Sequence, residues 1–102
     1  AFVHAAAWND TVPTADGVVK GYQDGNVMVF NSIPFAAPPV GDLRFAPPTP
    51  PAPWTGVRDV SVSKPICPQG HIPILNIDLL GKEDCLYLRV YVPKHEPDVK
   101  LP

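Results

Sequence analysis

The most regular pattern of apolar and polar positions lies near the carboxyl end, in Glu83-Asp84-Cys85-Leu86-Tyr87-Leu88-Arg89-Val90-Tyr91-Val92-Pro93. Side chains alternate between the two faces of a strand, so Leu86, Leu88, Val90 and Val92 share one face and Tyr87, Arg89 and Tyr91 the other. Leucines with β-branched and aromatic residues, stopped by a proline, predict a β-strand over 86–92. A strand apolar on both faces is usually sandwiched between packing layers. The nine residues after Pro93 are too few for the crossover that a parallel neighbour needs. The strand is therefore expected to pair with an earlier segment or with another polypeptide.

Upstream, Thr11–Thr14, Val18–Tyr22 and Val27–Phe30 are short apolar runs separated by the turn residues Asp16-Gly17 and Asp24-Gly25-Asn26. They predict a small three-stranded antiparallel sheet over 11–30, marginal unless it packs on something. Residues 1–10 are expected to form a poorly tied terminus. No period is sustained through 31–45, where Ile33, Phe35, Val40, Leu43 and Phe45 alternate with prolines and are expected to press into a core. The run from Pro47 to Pro53 favours polyproline II. Phe45 and Trp54 bracket it as anchors, which argues against a free ligand for an SH3-like module. Val57–Ser63 alternates like a short edge strand. Residues 69–82 are apolar through Ile72, Ile74, Leu75, Ile77, Leu79 and Leu80, with a short helix over 74–80 as one option. A loop this apolar either walls a site or packs on the core.

Fifteen prolines in 102 residues, about three times the usual ~5%, call for ordered extended loops. The 45% hydrophobic content argues against disorder. A net charge of -2 without a basic stripe argues against nucleic acid as a partner. No apolar run approaches the ~20 residues of a membrane span, and residues 1–8 do not read as a secretory leader. Cys67 and Cys85 would gain about 3 kcal/mol from a bridge; two free buried thiols are the alternative. Asn9-Asp10-Thr11 is an N-glycosylation sequon. Together these features favour an oxidising, secreted setting.

The stretch Glu-Asp-Cys-Leu-Tyr-Leu-x-Val-Tyr-x-Pro at 83–93 resembles a signature of the type-B carboxylesterase and cholinesterase-like family, with Arg89 where a small polar residue is usual. Ile33-Pro34-Phe35-Ala36, Pro38-Pro39-Val40-Gly41, Leu43-Arg44-Phe45, Pro53-Trp54-x-Gly56-Val57-Arg58-Asp59 and Gly17-Val18-Val19-x-Gly21 resemble that family's amino-terminal region in the same order. The resemblance implies an α/β-hydrolase fragment: mostly strand and extended loop, with a small antiparallel sheet (11–30), a proline-rich loop (31–56), a disulfide loop (67–85) and a central-sheet strand (86–92), completed by a second chain. It implies an ion pair between Arg44 and Glu83. It also implies that the disulfide loop borders the active-site gorge, with Ile72, Ile74, Leu75 and Leu79 as candidate lining. Residues 69–82 lack the aromatic residue with which cholinesterases hold a quaternary ammonium. An apolar ester is the expected substrate.

Ester hydrolysis on this fold needs a serine in Gly-x-Ser-x-Gly, an acid, a histidine and an oxyanion hole. Ser32, Ser61 and Ser63 lack the flanking glycines, and His4, His71 and His95 read as solvated residues of loops and termini. No metal-ligand spacing or phosphate-binding glycine loop is present, so neither metal nor cofactor is expected. The catalytic residues are expected on the remaining chain of the same hydrolase, which would carry Gly-x-Ser-x-Gly. Two rivals remain: a non-catalytic cholinesterase-like adhesion protein, and an autonomous small β domain that binds a partner.

Overall fold

The computed structural model describes residues 8–78, 80–96 and 99–102. Its longest strand, β4 (Val27–Pro34), has neighbours on both sides. β3 (Tyr22–Asp24) returns on it antiparallel through the Gly25-Asn26 turn, and β8 (Tyr87–Pro93) lies antiparallel along the other edge. The ladder between β4 and β8 pairs Met28 with Val92, Val29 with Tyr91 and Phe30 with Val90. A one-residue irregularity then resumes it at Ile33 and Leu88. The apolar ribbon near the carboxyl end thus has a partner inside the chain along one edge. No strand pairs with its other edge among the described residues.

A second sheet holds β1 (Thr11–Thr14), β2 (Gly17–Lys20) and β5 (Val57–Asp59) in the order β1-β2-β5. β1 and β2 are antiparallel, whereas β5 runs parallel to β2, with Val18 opposite Val57 and Lys20 opposite Asp59. The expected single meander over 11–30 is therefore two sheets, which part at Gly21. A Cβ at Gly21 would overlap the Val29 carbonyl oxygen. Only glycine lets the chain pass so close to β4 while its N–H reaches the Asp10 carbonyl at 2.8 Å.

Val60, fully buried, joins the sheets with both of its backbone groups. Its N–H donates to the Lys20 carbonyl and its carbonyl accepts from the Asn31 N–H, each at 2.8 Å. The Asn31 side-chain amide adds a bond to the Ser61 carbonyl at 2.7 Å. Val19, Met28, Phe30 and Val60 form the core, with Trp8, Val12, Ile33, Trp54, Val90 and Val92 packed around it. On the opposite face of β4, Val29 is buried between two exposed tyrosines, Tyr22 and Tyr91.

Several local expectations are corrected. Residues 8–10 are tied down, since the Trp8 indole N–H donates to the Val92 carbonyl at 3.0 Å. The segment expected as loop from Asn31 begins as strand, through Pro34. Trp54 is an anchor: its indole N–H donates to the Val18 carbonyl at 2.9 Å, the Arg58 guanidinium covers its ring at 5.0 Å, and a Cβ at Gly17 would run into it. Phe45 is not an anchor; it is 98% exposed, with φ at 56°. Phe35 and Val40 are also exposed. The prolines that space these residues fix φ and orient the segment along the surface rather than into the core. The Val57–Ser63 strand ends at Asp59, where the Ser61 N–H turns back to the Asp59 carboxylate at 2.9 Å.

Replacing Gly21 with alanine in the intact protein is expected to destabilise it by about 1–3 kcal/mol, because neither the strand nor the Val29 carbonyl can move aside. Gly70→Ala, where a Cβ meets open space, is the control and should stay within about 0.5 kcal/mol. Urea or thermal unfolding of the two variants checks the contrast.

Candidate functional site: a disulfide-clasped loop

Cys67 and Cys85 are joined by a disulfide, with their Cα atoms 4.9 Å apart. The Lys82 N–H donates to the Ile66 carbonyl at 2.9 Å, beside the bridge. Gly81 lies so close to the Cys67–Pro68 backbone that a Cβ there would collide with it. The base of the loop is thus held by one covalent bond and one backbone bond, next to the start of β8.

Within the loop, β6 (His71–Ile72) and β7 (Ile77–Asp78) pair antiparallel, so the run that left a short helix over 74–80 as one option holds a strand pair with a turn instead. The turn between them places Asn76 at φ 48° and is closed by its N–H on the Pro73 carbonyl at 3.2 Å. Asparagine tolerates the left-handed region and proline cannot continue a helix, so residues 73–76 form a turn. Ile74 and Leu75 stand on that turn, 93% and 59% exposed. For Ile72 only the backbone is described, and Leu79 lies outside the described residues.

The proline-rich segment meets this loop at Arg44. Its Nε–H points at the Glu83 carboxylate at 2.6 Å, and both side chains are about half exposed, 54% and 44%. The Arg44 guanidinium also lies 5.4 Å from the centre of the Phe45 ring. Pro39, Arg44, Phe45, Pro68, Glu83 and Cys85 together line an open recess of about 300 Å³. A second, more apolar recess of about 260 Å³ is lined by residues that include Phe35, Leu43, Pro47 and Leu86. The Ala37 N–H to Thr49 carbonyl bond, 2.9 Å, holds that segment together.

Two polar contacts escaped the sequence reading. The Tyr87 hydroxyl donates to Asp84 at 2.8 Å, and the Lys64 ammonium sits 5.5 Å from the Tyr87 ring centre. Burial, then the Asp84 carboxylate, pushes the Tyr87 phenol above its ordinary value of 10.0. Tyr87 therefore stays a neutral donor near pH 7. The stability it contributes is present below its unfolded value and is lost only as pH climbs through the higher folded one. The Asp84-x-x-Tyr87 spacing was visible, but nothing local said that the two side chains would meet.

The described residues offer no assembled nucleophile. Ser32 is buried in β4, and the ring Nδ1 of His95 lies 3.1 Å from the Pro93 carbonyl. No cluster of three metal-ligating side chains occurs among the described residues. Among the described residues, no helix is long and apolar enough to cross a membrane. Asn9 is exposed at the entrance to β1.

Against this geometry, residues 9–102 match the model of the carboxylesterase family. The chain is 44% identical to the medium-chain fatty acyl-CoA hydrolase precursor of Anas platyrhynchos over 89% of its own length and 20% of that protein's. It is 38% identical to neuroligin-3 of Mus musculus over 71% of its length and 10% of that protein's. Among solved structures, a PNB esterase superposes with a TM-score of 0.73 at 39% identity, over 85% of this chain and 19% of the other. The chain thus spans a fifth or less of the length of these relatives. The matched residues run almost from end to end, and the strands superpose on those of an α/β-hydrolase esterase: the chain belongs to the carboxylesterase family, as its amino-terminal segment.

Proposed function

We propose that this chain is the scaffolding and pocket-shaping amino-terminal part, or light chain, of a secreted serine-type carboxylic ester hydrolase. The serine, acid and histidine would come from the remaining chain of the same protein, which would carry Gly-x-Ser-x-Gly and form the acyl-enzyme. The observation that carries the reading is the clasped loop of a carboxylesterase-family chain. A disulfide and the Arg44–Glu83 pair fix its base, and Ile74 and Leu75 are presented outward at its tip. A fixed apolar tip suits the wall of a gorge that takes an apolar acyl or alcohol group. Leu79 and Ile72 would share that wall. The same reading supplies a cover for the exposed apolar side chains Phe35, Phe45, Leu88 and Tyr91: the rest of the hydrolase would pack on them. The disulfide supports an oxidising compartment.

The similarity to neuroligin-3 favours a second reading, in which the same scaffold belongs to a non-catalytic adhesion protein. Fluorophosphonate labelling of the intact protein separates the two. The enzyme reading expects a labelled serine outside residues 1–102; a folded, unlabelled protein leaves the adhesion reading.

If the tip lines the gorge, Leu75→Asp should lower kcat/KM for an octanoyl ester relative to the acetyl ester by about tenfold, the scale of a changed apolar pocket contact. An unchanged ratio would mean that the loop only packs on the scaffold. The half-exposed Arg44–Glu83 pair should give a coupling of about 1 kcal/mol or less in a cycle of Arg44→Met, Glu83→Gln and the double variant, measured by urea unfolding. A coupling near 3 kcal/mol would show that the remaining chain buries the pair.

A further inference from the structure

We infer that Asn9 carries an N-linked oligosaccharide, placed where it guards the open edge of β1. The sequon Asn9-Asp10-Thr11 is held in one arrangement by its neighbours. Before it, the Trp8 indole is fixed to the Val92 carbonyl; after it, the Asp10 carbonyl is taken by the Gly21 N–H at 2.8 Å. The backbone is thus anchored on both sides, while the Asn9 side chain remains exposed. Its Oδ1 accepts from the Thr11 N–H at 3.2 Å, which leaves Nδ2, the atom that takes the sugar, outside that bond. A bulky, hydrated group at Asn9 would displace nothing from the core.

The transfer balances without a further reactant beyond its donor, an oligosaccharide linked to a lipid diphosphate. The Asn9 Nδ2 forms a bond to the sugar's anomeric carbon as the bond from that carbon to the diphosphate breaks. The proton lost from Nδ2 leaves with the lipid diphosphate. The inference rests on the secretory compartment proposed above, for which the Cys67–Cys85 bridge is the independent support.

The position also has a structural use. β1 is the outer strand of the order β1-β2-β5, so one of its edges has no strand partner among the described residues. Such an edge is a template for pairing with another chain. Pro13 already removes one donor from β1. An oligosaccharide at the strand's entrance would block approach to the remainder by steric bulk.

The test uses the full-length protein secreted from cultured eukaryotic cells. Peptide-N-glycosidase in heavy-oxygen water should release a glycan from the Asn9 peptide and leave a heavy-labelled aspartate there. Thr11→Ser should keep the modification. Thr11→Val, which preserves a β-branched residue in the strand, should abolish it, as should Asn9→Gln, while secretion and the disulfide persist. An unmodified Asn9 in secreted, disulfide-bonded protein overturns the proposal and leaves the compartment standing. Bare Asn9 in reduced, cell-retained protein overturns both.

Discussion

The pairing of β8 with β4 is the contact on which the rest of the molecule depends. Most of the chain lies between these two strands, including the proline-rich segment, β5 and the disulfide loop. Loop-closure entropy rises slowly with length, about 0.6 kcal/mol per doubling, so a long excursion is tolerable if its ends meet in a good ladder. The excursion is also pinned along its course. Trp54 ties to Asp16 and Val18, β5 to β2, Val60 to Lys20 and Asn31, and Cys67 to Cys85. Each tie divides one large closure into smaller ones. Val60 matters most among them, because its backbone serves both sheets while its side chain fills the space between them.

This core is one-sided. Met28, Phe30, Val90 and Val92 face Val19 and Val60, whereas Val29 on the opposite face is flanked by exposed tyrosines. Phe35 and Phe45, outside the strands, and Leu88, near the start of β8, add further exposed apolar surface. A small domain that buries one face of a sheet and leaves aromatic residues on the other has stopped short of the layered arrangement that sheets need. The carboxylesterase relatives, of which this chain spans a fifth or less, place the same strands within a much larger body. The family relation and the unfinished face are two views of one fact.

Much of this was legible in the residues. The Asp24-Gly25-Asn26 and Asp16-Gly17 turns, the strand ending at Pro93 and the cysteine pair each rest on local chemistry, and the ordered motifs from Gly17 to Pro93 identified the family. What escaped was non-local. Periodicity marks Val57–Asp59 as a strand but cannot say that it lies parallel to β2. Nor can it place Gly21 at the parting of two sheets, since the reason is the Val29 carbonyl, which is remote in sequence. The apolar run at 74–80 fits a helix on paper; Pro73 and the left-handed Asn76 decide for a hairpin turn. Phe45 read as an anchor because it is large and apolar, but its surroundings in the fold, not its type, determine whether a residue is buried.

The proposed division of labour, with catalysis on the remaining chain, fits these particulars. A segment with no assembled nucleophile among its described residues would, on the proposed reading, act on the reaction through what it positions or excludes. Apolar contacts along a pocket discriminate between substrates by about 1–3 kcal/mol, whereas loss of a nucleophile removes catalysis by many powers of ten. If the clasped loop walls the gorge as proposed, changes in it belong in the ratio of rates between substrates, and changes in the core and the β4–β8 ladder in the amount of folded protein. The disulfide, the Arg44–Glu83 pair and the Tyr87–Asp84 bond all lie between the loop and the start of β8. That junction is where a packing change in the sheet would be felt in the loop. A wall of the kind proposed, which would discriminate by so small a margin, has to stand still, and the ties at the base of the loop would hold it there.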